Sequence, residues 1–468
     1  MKEKFLGVAA GMGDHLAAGG GPAQMKNVRD RLGIEPAPAV DRLSVLTMPA
    51  DDFPWLRMDP PRRSVSIHAS HPGFYGDPYA TYERIRAVLP VFFWEEHKVW
   101  CFLNMADVGA LLRDRRFGRE LLPREGQPPA PPPAGREHVP TFDAVNANSM
   151  LEREPPVHLR LRTLVNRAFV SRNIERLRPR IEALAHGLID GFQADHRADL
   201  IAAYATPIPV VVIAELLGVP TERCPQLLDW SHRMVAMFQL DRTRELELAA
   251  EEATVEFSAF LRAYVAERRK RPADDLISHL LATQATGDRL SEDELIGTCI
   301  LLLNAGHEAT VHAIGNGVKT LLEQGTDPAA AFGTPEATAA TVEECLRFDP
   351  PLHLFNRYVQ EDLEFAGVKL PRGSAVALMY GAANRDPARY PNAAAFDPTR
   401  PVAGPGAGHA TFGGGIHFCL GAPLARLELQ LALPILFQRL PGLRLAGRPA
   451  YRDNYHFHGL AALPLAWP

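Results

Sequence analysis

The sequence predicts a mainly α-helical protein with a smaller β portion. Apolar residues recur at helical spacing through most of residues 158–345. Short β-like runs punctuated by turn signals gather at 91–103 and 357–402. No internal repeat breaks this pattern. With 468 residues, 46% of them hydrophobic, the chain can bury a large core.

Taken in order, residues 1–60 differ in composition from the rest. Ala17-Ala18-Gly19-Gly20-Gly21-Pro22 is linker-like, and prolines recur to Pro61. A flexible N-terminal extension is expected there, followed by one domain over 61–468. Met25, Met48 and Met58 leave an upstream start codon as the plain alternative. The glycine run lacks G-K-[ST], so it does not read as a phosphate loop.

Tyr79, Tyr82, Ile85 and Val88 mark a helix. Two strands follow, Val91-Phe92-Phe93-Trp94 and Val99 to Leu103. Asp107 to Phe117 reads as helix, and 127–135 (QPPAPPPAG) as a proline-rich loop. Leu159, Leu161, Leu164, Val165 and Ala168 predict the next helix, and Ile181, Leu184, Ala185 and Leu188 another. Ser291 with Glu294 three residues on is a capping box. The run it opens, Leu295 to Gly306, is apolar on nearly every face, as in a helix buried all round. Arg357 to Val359, Phe365 to Leu370 and Ala375 to Met379 are short strands. Gly367, Pro371-Arg372-Gly373 and Asp386-Pro387 are turns. Leu424, Leu427, Leu431 and Ala432 predict a last helix, and Tyr455 to Leu465 a β-hairpin.

Composition excludes several classes. A formal net charge of −5 gives no global attraction to nucleic acid or to an anionic membrane. No apolar run reaches the ~20 residues that span a bilayer. The stretch Phe5 to Met12 is cut short by Gly11, Asp14 and His15, a poor signal peptide. A soluble, cytoplasmic monomer is expected. Cys101, Cys224, Cys299, Cys345 and Cys419 are scattered and odd in number, so neither a disulfide framework nor a zinc site is suggested.

One cysteine stands apart. Phe412-Gly413-Gly414-Gly415-Ile416-His417-Phe418-Cys419-Leu420-Gly421 leads into a helix at Ala422. A lone cysteine is most often a small buried hydrophobe. A thiolate under a flat macrocycle needs a loop that passes close, which favours glycine, and a helix start that keeps sulfur ionised. F-x-x-G-x-x-x-C-x-G resembles the haem signature of the cytochrome P450 family, and Ala422-Pro423-Leu424-Ala425-Arg426 is similar too. Glu344-Cys345-Leu346-Arg347 matches the family's E-x-x-R, a pair that alone would be a weak surface contact. Glu154-Pro155-Pro156-Val157-His158-Leu159-Arg160-Leu161-Arg162 resembles the helix over the haem edge. Without the family it would read as a solvated basic face. Asn384 to Pro387 and His458 to Pro464 are also similar. The resemblance covers roughly residues 65–468.

That resemblance implies the cytochrome P450 fold, with a long central helix above haem b and the cysteine loop beneath. Cys419 would ligate the iron, within a loop that includes Phe412, Gly415 and Gly421. His158, Arg162, Arg357 and His417 would meet the haem propionates. Arg400 would complete a structural brace with Glu344 and Arg347. Leu301 to Thr310 (LLLNAGHEAT) resembles the oxygen-activation helix, with room for O₂ at Ala305 and Gly306 and Glu308 relaying protons. The family places a threonine after the acid; here Ala309 stands there and Thr310 one step, about 100°, later. Three readings follow, in order. A substrate hydroxyl or ordered water replaces the threonine, Thr310 reaches in through a distorted helix, or the enzyme uses oxygen poorly. His307-Glu308 and His312 miss the zinc-protease H-E-x-x-H, since the second histidine is five residues on instead of four.

The implied activity inserts one atom of O₂ into a small, largely apolar substrate. Expected lining residues are Leu303, Ala305, Ala309, His353, Leu354, Phe355 and Phe457. No flavin or iron–sulfur segment is read in the chain. Electrons are therefore expected from a ferredoxin or flavodoxin with its reductase, docked near Arg160, Arg167 and Arg426. Peroxide-driven or isomerising chemistry is the alternative, and a non-catalytic haem protein the third.

Overall fold

The structure is a computed structural model that describes residues 52–124, 135–239, 242–283, 290–400 and 408–468. The glycine run at 17–22 and most of the proline-rich loop lie outside them. So does the expected extension up to residue 51. Its last part does not hang free: Leu56–Asp59 is a strand paired antiparallel with Ser64–Ile67.

Seven strands form the main sheet, in the order Leu56–Asp59, Ser64–Ile67, Val91–Trp94, Val99–Phe102, Ala375–Leu378, Phe355–Val359, Phe117–Gly118. Ala375–Leu378 joins the early and late parts of the chain. It runs parallel to Val99–Phe102, with Val376 opposite Trp100, and antiparallel to Phe355–Val359, with Val376 opposite Arg357. Its residues 376–378 are buried on both faces, as expected of an apolar run at a sheet centre. The predicted strand Phe365 to Leu370 is instead half of a hairpin, Leu363–Phe365 and Val368–Leu370. Ala366 and Gly367 turn between them with φ of 48° and 71°. A two-residue loop with both φ positive is the turn that matches strand twist. The predicted tail hairpin also differs. Leu460–Ala462 pairs with Ala450–Tyr451, and Pro464–Ala466 with Arg444–Leu445 and Arg197–Asp199, so the tail ties distant segments together instead of folding on itself.

Helices make the rest. The central helix, Glu292–Glu323, has 32 residues and starts at the predicted capping box: the Ser291 side chain accepts from Glu294 N–H, and Glu294 reciprocates. Leu295, Ile296, Cys299, Ile300, Leu302, Leu303, Ile314 and Val318 are buried around it, as a helix that is apolar on every side must be. It packs on Pro207–Leu217, Pro335–Phe348 and Ala422–Arg439. Gly306 sits at the first of these contacts. A Cβ there would meet Ile213 Cγ1 at 2.9 Å, so its smallness serves close helix packing and not the expected O₂ space. None of the described helices is long and apolar enough to cross a membrane.

Candidate active site around Cys419

The helix Ala422–Arg439 begins three residues after Cys419, with Gly421 as its N-cap. Cys419 N–H donates to the Phe412 carbonyl at 2.9 Å, closing the loop on itself. Gly415 has φ 64°, and a Cβ there would lie 2.1 Å from the Leu112 carbonyl oxygen. Only glycine lets the loop press on the end of the helix Met105–Leu111. Burial pushes the Cys419 thiol up, while the N–H groups of Gly421 and Ala422 and the charges of Arg162 and Arg426 pull the other way. Yet Cys419 is exposed to a water-sized molecule, whereas the other four cysteines are buried.

On the central helix a stripe is also accessible. Leu301 and Ala309 are half-buried and Ala305 exposed, at i, i+4 and i+8 on one face of a mostly buried helix. Three expected lining residues come from this stretch of helix, and they divide. Ala305 and Ala309 are on the stripe; Leu303 is fully buried in the core, because it lies on the opposite side of the helix. The helix is regular α through residues 301–310. Thr310 does not reach round: it is buried, and its hydroxyl lies 3.5 Å from the Gly306 carbonyl one turn back.

Glu308 is buried among three histidines and an arginine. Oε2 lies 3.5 Å from His232 Nε2 and 3.5 Å from His307 Nε2. Oε1 lies 3.4 Å from His312 Nε2 and 3.6 Å from Arg452 Nη1. Burial alone would raise this carboxyl; the histidines outweigh it and hold it well below the usual range. His312 is itself pressed on the tail, since a Cβ on Gly459 would overlap its ring at 1.9 Å from Nδ1.

At the loop's other end, cationic side chains gather. His158 is 2% exposed and neither ring nitrogen has a hydrogen-bond partner. Its ring centroid is 4.3 Å from that of His417. Burial, with His417 and Arg162 nearby, lowers His158 to about 4. Arg162 donates to the Phe418 carbonyl at 2.6 Å. Arg357, 3% exposed, donates to the Asn356 carbonyl at 2.9 Å. Arg119 lies over the Phe355 ring at 4.2 Å and donates to the same carbonyl at 2.8 Å. The acids present are Glu152, paired with Arg119, and Glu154, 3.0 Å from His417 Nε2. Three buried or half-buried arginines against two carboxylates, beside two imidazoles that burial keeps from charging, leave room for anionic partners. An exposed cysteine at a helix start, a glycine pressed under the loop, an orphaned buried imidazole and this cationic excess fit a haem with its two carboxylates.

Behind the loop, Glu344 and Arg347 form a bidentate pair, Nε–Oε2 and Nη2–Oε1 both 2.7 Å, at 4% and 2% exposure. Arg347 also donates to the carbonyls of Asn384, Ala393 and Ala395. Arg400 Nε reaches Glu344 Oε1 at 3.2 Å. Thr411 donates to the Leu346 carbonyl, and Asn384 to Thr411, so the brace is bonded to the start of the cysteine loop.

The remaining expected lining residues are divided. Phe355 and Phe457 are half-buried, Phe355 stacked with Tyr380 and Phe457 beside His312. His353 is fully buried and bonded to Tyr82 at 2.8 Å, and Leu354 packs in the sheet-side core. Neither is accessible: the Tyr79 and Tyr82 hydroxyls draw the histidine inward, and Leu354 is packed among apolar side chains. Phe412 is covered by Arg426, whose guanidinium also holds Glu343 at 2.6 Å and 2.9 Å. Arg160 pairs with Glu294. Sequence reading missed Arg119, Glu154, His232 and Arg452. Only Glu154 lay in a quoted motif; the others come from segments with no pattern of their own.

The cytochrome P450 family model matches residues 336–441. The chain is 34% identical over 397 residues to the biotin biosynthesis cytochrome P450 of Bacillus subtilis, covering 84% of this chain and 97% of that one. It is 37% identical over 404 residues to the cytochrome P450 monooxygenase PikC of Streptomyces venezuelae, covering 84% and 92%. Its fold is similar to the crystal structure of P450BioI in complex with hexadec-9Z-enoic acid ligated acyl carrier protein. The TM-score is 0.77 at 35% identity, over 84% of this chain and all of that one.

Proposed function

The chain belongs to the cytochrome P450 family of haem-thiolate monooxygenases, and we propose that it oxidises a small, largely apolar organic molecule by inserting one atom of O₂. The cofactor we assign is haem b, with Cys419 as its thiolate ligand. Electrons would come from a ferredoxin or flavodoxin with its reductase. The observation that carries this is the exposed Cys419 at a helix start, together with the accessible stripe of Leu301, Ala305 and Ala309.

When bound, the haem supplies the oxygen chemistry, and the thiolate supplies electron density to it. The residues of the chain do the rest. His158, Arg162, Arg357 and His417 hold the propionates, and Arg119 supports Arg357 from the same carbonyl. His417 exchanges Glu154 for a propionate or shares the two. Ala305 and Ala309 leave space beside the reacting atoms. Glu308 takes a proton at Oε2 from the half-exposed His232 and passes it inward. Glu344, Arg347 and Arg400 fix the loop without touching substrate. Phe355 and Phe457 supply apolar lining. The acyl ligand of the P450BioI structure is in keeping with a substrate of this polarity.

A second reading rests on one observation. The hydroxyl of Thr310, one residue beyond the position after the acid, is turned back to Gly306. Peroxide-driven chemistry needs fewer protons from this helix, so it remains the alternative. Turnover with isotopically labelled O₂, NADH, a ferredoxin and its reductase separates the two. One labelled oxygen atom in the product supports the first reading. Product from hydrogen peroxide alone, with no label taken up from O₂, supports the second.

A further inference from the structure

The cage around Glu308 has a property that proton relay does not explain. His307 is 1% exposed, and its Nδ1 lies 2.8 Å from the Leu303 carbonyl oxygen. A carbonyl only accepts, so Nδ1 carries a proton, and in the neutral ring Nε2 then presents a lone pair. That nitrogen has no hydrogen-bond partner and lies 3.5 Å from Glu308 Oε2, itself an acceptor. His232 Nε2 faces the same oxygen from the helix Cys224–Val235. All three donor atoms lie within 4.8 Å of one another. Two acceptors facing each other in a buried site call for a cation between them, either a proton or a metal ion.

Distances decide which kind. Charge-assisted hydrogen bonds run about 2.7–2.9 Å. Both nitrogen–oxygen separations here are 3.5 Å, long for such a bond. Zinc bonds of 2.0–2.2 Å in a tetrahedron place neighbouring donor atoms about 3.3–3.6 Å apart. Two imidazoles and one carboxylate form a set that zinc accepts with its fourth position left to water. The Nδ1–carbonyl contact of His307 is the outer hydrogen bond that fixes a metal-binding imidazole. A door exists as well: the His232 side chain is 43% exposed while Glu308 is 6%.

We propose that His232, His307 and Glu308 form a binding site for a zinc ion at the solvent end of the central helix's acid. His312 Nε2 and Arg452 Nη1 lie nearest Oε1, at 3.4 and 3.6 Å, which leaves Oε2 for the ion. Arg452 repels a dication, so the site binds reversibly and is not a structural clamp. The other histidine–carboxylate group, Asp349 with His353 and His458, lacks these features. Its oxygens accept from Tyr79 and Tyr451, His353 is bonded to Tyr82, and all three are buried with no exposed member. Resting on the role proposed above for Glu308, a bound ion also withdraws that carboxylate from proton supply.

The test uses the haem-loaded full chain, freed of adventitious metal by chelation and titrated with zinc sulfate by calorimetry. Bound zinc is counted by mass spectrometry after gel filtration. One saturable zinc per chain is expected, weakened more than about tenfold in His232→Ala, where an exposed ligand is lost without a buried cavity. Glu308→Gln, read by the same titration, should weaken it similarly. Equal zinc affinity in His232→Ala and the parent, or no saturable binding by the parent, overturns the site. Turnover is read separately. Zinc that binds but leaves turnover unchanged supports the site and contradicts the proton role of Glu308. Turnover lost in Glu308→Gln with no zinc binding by the parent does the reverse.

Discussion

Replacing Arg347 by alanine would strip the most fully enclosed ion pair near the cysteine loop. Arg347 and Glu344 are 2% and 4% exposed and share two 2.7 Å hydrogen bonds. Removing one partner of such a pair costs about 3–5 kcal/mol, because the other charge stays buried. The Asn384 and Ala393 carbonyls lose their Arg347 donor, at about 1 kcal/mol each. Two contacts soften the loss: the Asp397 N–H and Arg400 Nε both remain on Glu344 Oε1. A net loss of about 5 kcal/mol is expected, as large as the whole stability of many domains. Guanidinium unfolding of the haem-loaded protein, followed by near-ultraviolet circular dichroism, measures it. Haem release is read in parallel from the Soret band. Arg347→Lys keeps the charge but not the planar fork, so it should fall between parent and alanine variant and remain measurable if the latter does not fold. An alanine variant within about 1 kcal/mol of the parent would refute the reasoning.

Other outcomes follow from the same geometry. Gly415→Ala should lower the unfolding temperature and haem content together, since its Cβ would meet the Leu112 carbonyl at 2.1 Å with φ at 64°; thermal unfolding with haem quantitation checks this. Gly459→Ala should displace His312 and slow turnover more than it changes substrate affinity, read as a fall in kcat at nearly constant KM. Glu343 is raised by burial but held down to about 2 by Arg426 and His409. Its folded value lies below its unfolded one. The stabilisation is thus complete above about pH 4.5 and is lost as pH falls toward 2. Glu343→Gln should flatten the acid side of a urea-midpoint profile in that window. Glu308→Gln should cut product formation about 10²-fold or more while substrate binding, read from the haem spin state, is kept.

Much of this site was legible because its chemistry is local in sequence. The cysteine loop, the capping box at Ser291 and the pair Glu344–Arg347 each depend on residues a few positions apart, and their geometry follows from helix and turn rules. Arg400 was reachable only through the family resemblance, since 53 residues separate it from Arg347. What escaped depends on packing. Nothing about His232 or Arg452 in the sequence says that two other elements bring them to Glu308. Gly306 looked like space for a ligand, but the neighbour that needs its smallness is Ile213 of another helix. His353 lies in the interior because the hydroxyls of Tyr79 and Tyr82 offer it partners. The tail's strands were recognisable, but their partners, Arg197–Asp199 among them, lie far away in the chain.

The central claim is that Cys419 holds the haem iron as a thiolate. The reduced protein under carbon monoxide tests it most directly. The account predicts the strongly red-shifted Soret band of a thiolate-ligated iron in the parent. In Cys419→His, with haem still bound, the band should move to the position given by imidazole ligation. A well-folded, haem-loaded parent without the red-shifted band, or a Cys419→His variant that keeps it, would contradict the account.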